Sequence, residues 1–218
     1  MSNYDAIVFD NDGVLVGRTS YDVLHEATWD AFDTVGVSDP DPDDVEEMTV
    51  GVTTDSLKEV ARKYDLDPSK LWRERDRSAY HAQREEVAAG RKTLYDDFHT
   101  LSDVDVPMGI VSSNQQSTVD HVLDHFDVRN LFGAAYGREP HPRSIRRKKP
   151  NAHYINRALD DLGVDNAVFV GDNESDIRAA NNAGIDSAFI RRPHRDDWYL
   201  NVEPDHELND LHDIHKLT

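Results

Sequence analysis

The chain contains no cysteine, which excludes disulfides, thiolate nucleophiles and zinc ribbons. It has no apolar run near the ~20 residues that a membrane-spanning helix needs. Its first residues show no basic segment followed by a hydrophobic stretch, so they do not read as a secretion signal. Positive charge is scarce: 24 Lys and Arg stand against 43 Asp and Glu, a net charge of −19. Binding to a phosphate backbone rests on Lys and Arg, so nucleic acid is not an expected partner. No membrane partner is expected either. The expectation is a soluble cytoplasmic protein, monomer or homodimer.

The acidic excess is carried by Asp, 32 against 11 Glu, and Arg outnumbers Lys 17 to 7. That bias is similar to proteins from organisms with molar internal salt. At such salt the Debye length falls to about 3 Å, so dense surface carboxylates stop repelling one another. So acidic a composition can also mean disorder, but the apolar periodicity argues for a fold.

Short apolar runs typical of buried strands occur at 4–9, 106–111, 134–136, 167–170 and 187–190. Helical patterns fill the gaps between the later ones: 117–126, a segment opened by Pro150 and closed by Gly163, and one from Asp176 to the residue before Gly184. Strand and helix alternate from residue 106 onward, which predicts an α/β fold with a doubly wound parallel sheet. Residues 18–89 break the rhythm. They show helix starts at Thr19 or Ser20, at Thr53 or Thr54, and at Asp67-Pro68, with no convincing strand. The organisation expected is a core of residues 1–17 and 90–218 with an inserted helical cap at 18–89. Gly17 and Gly90 would lie in its linkers, and the cap is expected to move and to supply specificity.

Four segments place reactive residue types where strands end. Ala6 to Phe9 runs into Asp10-Asn11-Asp12-Gly13. Ligands of open α/β sheets sit just beyond the carboxyl ends of the strands. Two acids there repel unless a cation or a proton relieves them, although an acidic loop in an acidic chain is the plainer account. The run at 108–111 leads into Ser112-Ser113-Asn114, which can hold a phosphate or serve only as loop and cap residues. Gly171-Asp172 through Asp176 offers a second acidic strand end, with Asp176 either a helix cap or part of an oxygen-ligated Mg²⁺ site. The last segment, residues 143–149, holds five cations in seven residues, a solvated basic loop or a source of one lysine, Lys149, for an anion.

In this order the four segments resemble the haloacid dehalogenase superfamily, from residue 4 to about 191. Its pattern is Asp-x-Asp-Gly, a strand ending in Ser or Thr, a Lys-Pro, and Gly-Asp-x-x-x-Asp. The insertion falls where the branch with phosphoglycolate phosphatase-like and phosphomutase-like members places a helical cap. The resemblance implies Asp10 as nucleophile, forming an aspartyl-phosphate, and Asp12 as general acid and then base. It implies Mg²⁺ held by Asp10, the Asp12 backbone carbonyl and Asp172. Ser112 and the N–H of Ser113 would cradle the phosphoryl group, Lys149 would neutralise it, and Asp176 would orient Lys149 or a metal-bound water.

The activity so implied is a Mg²⁺-dependent phosphatase acting on a small phosphorylated metabolite. A sugar-phosphate phosphomutase would use the same residues, and a non-catalytic binding module on this fold is a third reading. Asp12 disfavours carbon–halogen and carbon–phosphorus cleavage, because relatives with those activities lack an acid there. One departure is Gly17-Arg18-Thr19, where many capped relatives carry Asp-Ser-Glu or Asp-Thr-Glu. The basic run before Lys149 is also longer than usual, and either meets a second anionic group of the substrate or pairs with the acidic surface.

Overall fold

The computed structural model describes residues 4–195 and 198–217. Six strands form one parallel sheet: β1 (Ala6–Phe9), β2 (Met108–Gln115), β3 (Ala134–Arg138), β4 (Ala167–Gly171), β5 (Asp186–Ile190) and β6 (His206–Leu208), in the order β3-β2-β1-β4-β5-β6. All residues of the central strands β1 and β4 are buried, as expected of strands covered on both faces. Successive side chains divide between the two faces. Ile7 and Phe9 pack with Ile110, Val168 and Val170 on one side, while Ala6 and Val8 pack with Val111 and Phe169 on the other.

Helices α5 (Gln116–His125), α6 (His153–Leu162) and α7 (Glu174–Ala183) connect the later strands. Gly163 and Gly184 end α6 and α7 with φ of 69° and 75°, a left-handed conformation that glycine adopts without strain. Chain order reverses at β1, with β2 on one side and β4 on the other. The crevice beyond the ends of β1 and β4 is therefore the expected ligand position.

Two details differ from the sequence reading. Pro150 does not open α6, which starts at His153. Asn151 donates its N–H to the Lys148 carbonyl at 3.0 Å and its side chain accepts from His153 N at 2.8 Å. That local turn competes with helix for the backbone groups. β6 has only one buried residue, Leu208, too little pattern to read as a strand.

Between β1 and β2 lie α1 (Tyr21–Val35), α2 (Pro42–Thr49), α3 (Thr54–Lys63) and α4 (Pro68–Ala88). Ser20, Thr53 and Asp67 cap α1, α3 and α4 with their side chains. The acidic α2 had no sequence assignment, because only Val45, Met48 and Thr49 are buried in it. Phe32, Val45, Met48, Leu57, Val60, Leu71 and Trp72 form an apolar cluster separate from the sheet, joined from outside by Ile145. The chain enters and leaves this helical unit side by side: Gly17 N donates to Thr93 O at 2.9 Å, and Val16 bridges Leu94. A buried ion pair also ties it to the sheet, with Arg138 at the end of β3 holding both oxygens of Asp76 on α4 at 3.0 and 3.3 Å.

Phe32 is fully buried at the centre of the helical cluster. Truncation of such a side chain typically costs about 3–5 kcal/mol. Phe32→Ala is expected to lower the denaturant midpoint accordingly, with the sheet residues of the site unaltered in sequence. A midpoint equal to that of the unmutated protein would show that the cluster contributes nothing to global stability.

Candidate active site

Asp10 emerges from β1, its N–H bonded to the Val170 carbonyl at 2.8 Å and its Oδ1 accepting from Asn11 N at 2.7 Å. The loop then folds tightly, with Leu15 and Val16 both donating to the Asn11 carbonyl. Gly13 has φ of 88°, and a Cβ there would stand 2.6 Å from Asp172 Oδ2. A glycine is needed because the Asp172 carboxylate occupies the space of its side chain.

The second acidic strand end is built in a similar way. A Cβ on Gly171 would meet the Asp176 Cβ at 2.2 Å. Asn173 caps α7, and Asp176 accepts the Asn173 N–H through Oδ2 at 3.0 Å. Asp176 Oδ1 lies 2.8 Å from Lys149 Nζ. One carboxylate thus closes the capping box of α7, as the sequence suggested for a helix start, and also faces Lys149.

Lys149 sits 2.8 Å from Asp10 Oδ1 as well, buried, with its ammonium over the Phe169 ring. Neither its Nζ nor Asp176 Oδ1 makes an aligned hydrogen bond among the described residues. Asp172 completes the group: one oxygen each of Asp10, Asp172 and Asp176 lie within 4.8 Å of one another. His194 Nε2 and Arg195 Nε hold Asp172 Oδ2 at 2.7 and 3.3 Å. His194 and Arg195 were not identified from sequence; they lie in a short turn after β5, and their only signal was a basic pair beyond a strand end.

Burial pushes the Asp10 carboxyl up to about 8, with Asp176 and Asp172 adding repulsion and Lys149 opposing it. Burial also raises Asp176 despite Lys149. At Asp172 burial acts upward, but His194 and Arg195 outweigh it and hold the carboxyl below its ordinary value. At Lys149 burial acts downward and is outweighed by Asp10 and Asp176, so the ammonium is held charged.

Asp12 faces away from this cluster. Its Oδ1 accepts from the ammonium of Lys92, which is buried and also reaches Thr19 Oγ1 and Gln83 Oε1, both at 3.1 Å. Asn114 Nδ2 approaches Asp12 Oδ2 at 3.3 Å and Gln83 Oε1 at 2.7 Å. Burial acts to raise the Asp12 carboxyl, but Lys92 prevails and keeps it below the usual carboxylate range. Lys92 lies two residues beyond Gly90 of the linker, and nothing local in the sequence marked it as a partner of Asp12. Ser112 is buried with its Oγ accepting from Asn114 N at 3.1 Å, and the Ser113 carbonyl accepts from Arg138 Nε at 2.7 Å. Asp10, Asp12, Ser112 and Ser113 line a cavity of about 320 Å³, lined also by Val52, Trp72 and Ala79 of the helical unit.

The donor set suits a hard divalent cation, which prefers carboxylate oxygens. Asp10 Oδ2 and Asp172 Oδ1 carry no hydrogen bond among the described residues. Burial is the main reason the Asp10 carboxyl is raised, with repulsion from Asp176 and Asp172 adding to it, and a bound cation would oppose both.

A family model described as haloacid dehalogenase-like hydrolase matches residues 7–190. A curated relative, pyrophosphatase PpaX of Halalkalibacterium halodurans, is 24% identical over 217 residues, covering 96% of this chain and 94% of its own. Among solved structures, CbbY from Rhodobacter sphaeroides in complex with phosphate superposes with a TM-score of 0.71 at 18% identity, covering 95% of this chain and 94% of that one. A predicted phosphoglycolate phosphatase from Haemophilus somnus gives 0.65 at 21% identity, covering 99% and 98%.

Gly171→Ala forces the new Cβ into Asp176, so Asp176 must leave either its cap or Lys149. Activity and thermal stability are both expected to fall; an alanine variant with unaltered activity would show that the close approach is dispensable.

Asp10 titrates from 3.8 in the unfolded chain to about 8 in the fold. The folded state therefore holds the extra proton between these values, and metal-free stability falls as pH rises through that window. Mg²⁺ would replace the proton, so its stabilising shift in melting temperature is expected to be larger at pH 8 than at pH 5. Equal shifts at both values would count against the carboxylate cluster as its site.

Proposed function

The chain belongs to the haloacid dehalogenase-like hydrolase family, and on that footing we propose that it is a magnesium-dependent phosphatase that hydrolyses a small phosphorylated metabolite through an aspartyl-phosphate on Asp10. One observation carries this reading: a buried ammonium, Lys149, set 2.8 Å from both Asp10 and Asp176, of which Asp10 also lines the cavity that Ser112 and Ser113 line. Phosphoryl transfer asks the protein mainly for positioning and charge neutralisation, and this cluster supplies both.

Residues 18–89 act in this reading as a cap domain over a core of residues 1–17 and 90–218. Support comes from Leu24, Val52, Trp72 and Gln83, which line the same cavity as Asp10. Water excluded by such a cover strengthens the electrostatics around the transferring group.

The substrate phosphoryl group lies between Asp10 and the Ser112 hydroxyl, with Lys149 offsetting its charge. Asp10 attacks phosphorus through a carboxylate oxygen, an O–P bond forms, and the bond to the leaving oxygen breaks with its electron pair. When bound by Asp10, the Asp12 carbonyl and Asp172, Mg²⁺ would supply charge neutralisation and keep Asp10 ionised. Water then attacks the phosphorus, its proton passing to Asp12, and Asp10 is released.

Asp12 is held as the carboxylate by Lys92, the form a base needs. The same contact opposes its protonation, so it favours leaving groups that depart without a full proton. Aryl phosphates and phosphoric anhydrides meet that condition. Inorganic pyrophosphate, the substrate stated in the name of the PpaX relative, is one such anhydride.

Purified protein is expected to release phosphate from an aryl phosphate in Mg²⁺ and high salt. Asp10→Asn should abolish turnover and the acid-stable trapping of label on protein. Asp12→Asn should lose about 10²–10⁴-fold on alkyl and aryl phosphates alike, since the base step follows departure of the leaving group. Near-normal turnover by Asp10→Asn would end the covalent mechanism.

A further inference from the structure

Four cations line the cavity in a chain of net charge −19: Arg18, Arg75, Arg138 and Lys148. One carboxylate, Asp76, stands among them, shared between Arg75 at 3.1 Å and Arg138 at 3.0 Å. The two guanidinium groups are committed elsewhere as well. Arg138 donates to the Ser113 carbonyl and to Ser144 Oγ, and Arg75 donates to the Met48 and Thr49 carbonyls. They are fixed in place beside the Trp72 ring, at 4.7 and 5.5 Å from its centroid.

Lys148 differs from them. Its ammonium donates to the Val52 carbonyl at 2.8 Å and to no carboxylate among the described residues. An ammonium has three hydrogens, so two remain for a ligand. Burial, with Arg138 and Arg75 adding repulsion, presses the Lys148 pKa down to about 8, which marks a cation short of a counter-charge. Arg18 stands exposed at the same cavity with no hydrogen bond or ion pair to a described residue. Trp72, lining the cavity too, has an indole N–H without an acceptor.

The basic run at 143–149 therefore divides by residue. Lys149 serves the carboxylates, Arg147 pairs with Glu139 at 3.5 Å on the surface, and Arg146 reaches Thr54 of α3. Lys148 alone of these faces the cavity without a charged partner.

We infer that Lys148 and Arg18, steadied by Arg75 and Arg138, form a second oxyanion subsite that takes a carboxylate or a second phosphate of the same substrate while the first phosphoryl group lies at Asp10. The inference rests on the phosphatase reading of this cavity and specifies its substrate class: a small phosphate ester or anhydride with two anionic ends. The cavity, about 320 Å³, is at the small end of ligand pockets, which suits such a molecule.

Three non-hydrolysable probes test it by calorimetry in Mg²⁺ and high salt: methylphosphonate, with one anion, phosphonoacetate, whose second anion is a carboxylate, and methylenebisphosphonate, whose second is a phosphonate. At least one double anion is expected to bind tenfold or more tighter than methylphosphonate, and which one does identifies the second group. Lys148→Met should weaken that double anion at least tenfold more than it weakens methylphosphonate. Arg18→Met, at an exposed position, gives the same comparison should Lys148→Met fail to fold by circular dichroism. Equal affinity for all three probes, or equal losses on all three in a folded variant, overturns the subsite. Tight double-anion binding without turnover of any phosphate ester would sustain the subsite and overturn the phosphatase reading instead.

Discussion

A lysine ammonium buried between two carboxylates is the constraint around which this molecule is arranged. Lys149 is buried, and its charge is balanced by Asp10 and Asp176, each 2.8 Å away. Each partner is fixed by a different strand end: Asp10 by β1, and Asp176 by the first turn of α7 after β4. β1 and β4 are adjacent in the sheet. The parallel register thus brings three residues far apart in sequence to one point. Two glycines keep that point open, since Gly13 and Gly171 leave room for Asp172 and Asp176.

A second buried lysine organises the other half of the cavity. Lys92 follows the last helix of the insertion and holds Asp12, which follows the first strand. Through Gln83 and Thr19 the same ammonium touches both the end of α4 and the entry to α1. The protonation state of Asp12 is therefore set where the helical unit joins the sheet. Asn114 from the end of β2 completes the network, so β1, β2 and the two ends of the helical unit meet at one carboxylate. The charged pair at its centre, the buried Lys92 ammonium on Asp12, gives that network its geometry.

Much of the fold and part of the site were legible in the sequence. Continuous apolar runs marked the central strands because β1 and β4 are buried on both faces. Ser20, Thr53 and Asp67-Pro68 announced helix starts through local capping chemistry. Asp10, Asp12, Asp172 and Asp176 stood out as acids at strand ends and Lys149 as part of a basic run, but local pattern left each with a plainer account. It was the order of the four segments, with the family resemblance it carries, that joined them and Ser112 into one site. α2 and β6 left no comparable trace, having few buried residues. Pro150 misled, since the turn made by Asn151 delays α6 by three residues.

What the sequence by itself determined is the alternation of strand and helix and the placement of acids at strand ends. Both follow from interactions between residues a few positions apart. Only the tertiary structure decided which cation meets which acid. Lys92 reaches Asp12 across 80 positions, Arg138 reaches Asp76 across 62, and His194 reaches Asp172 from a turn beyond β5. It also separated Lys148 from Lys149, neighbours in the chain, sending one into the cavity and the other among the carboxylates. The reason is physical: a charge has no periodicity, and its partner is chosen by burial and distance, which exist only once the sheet has formed.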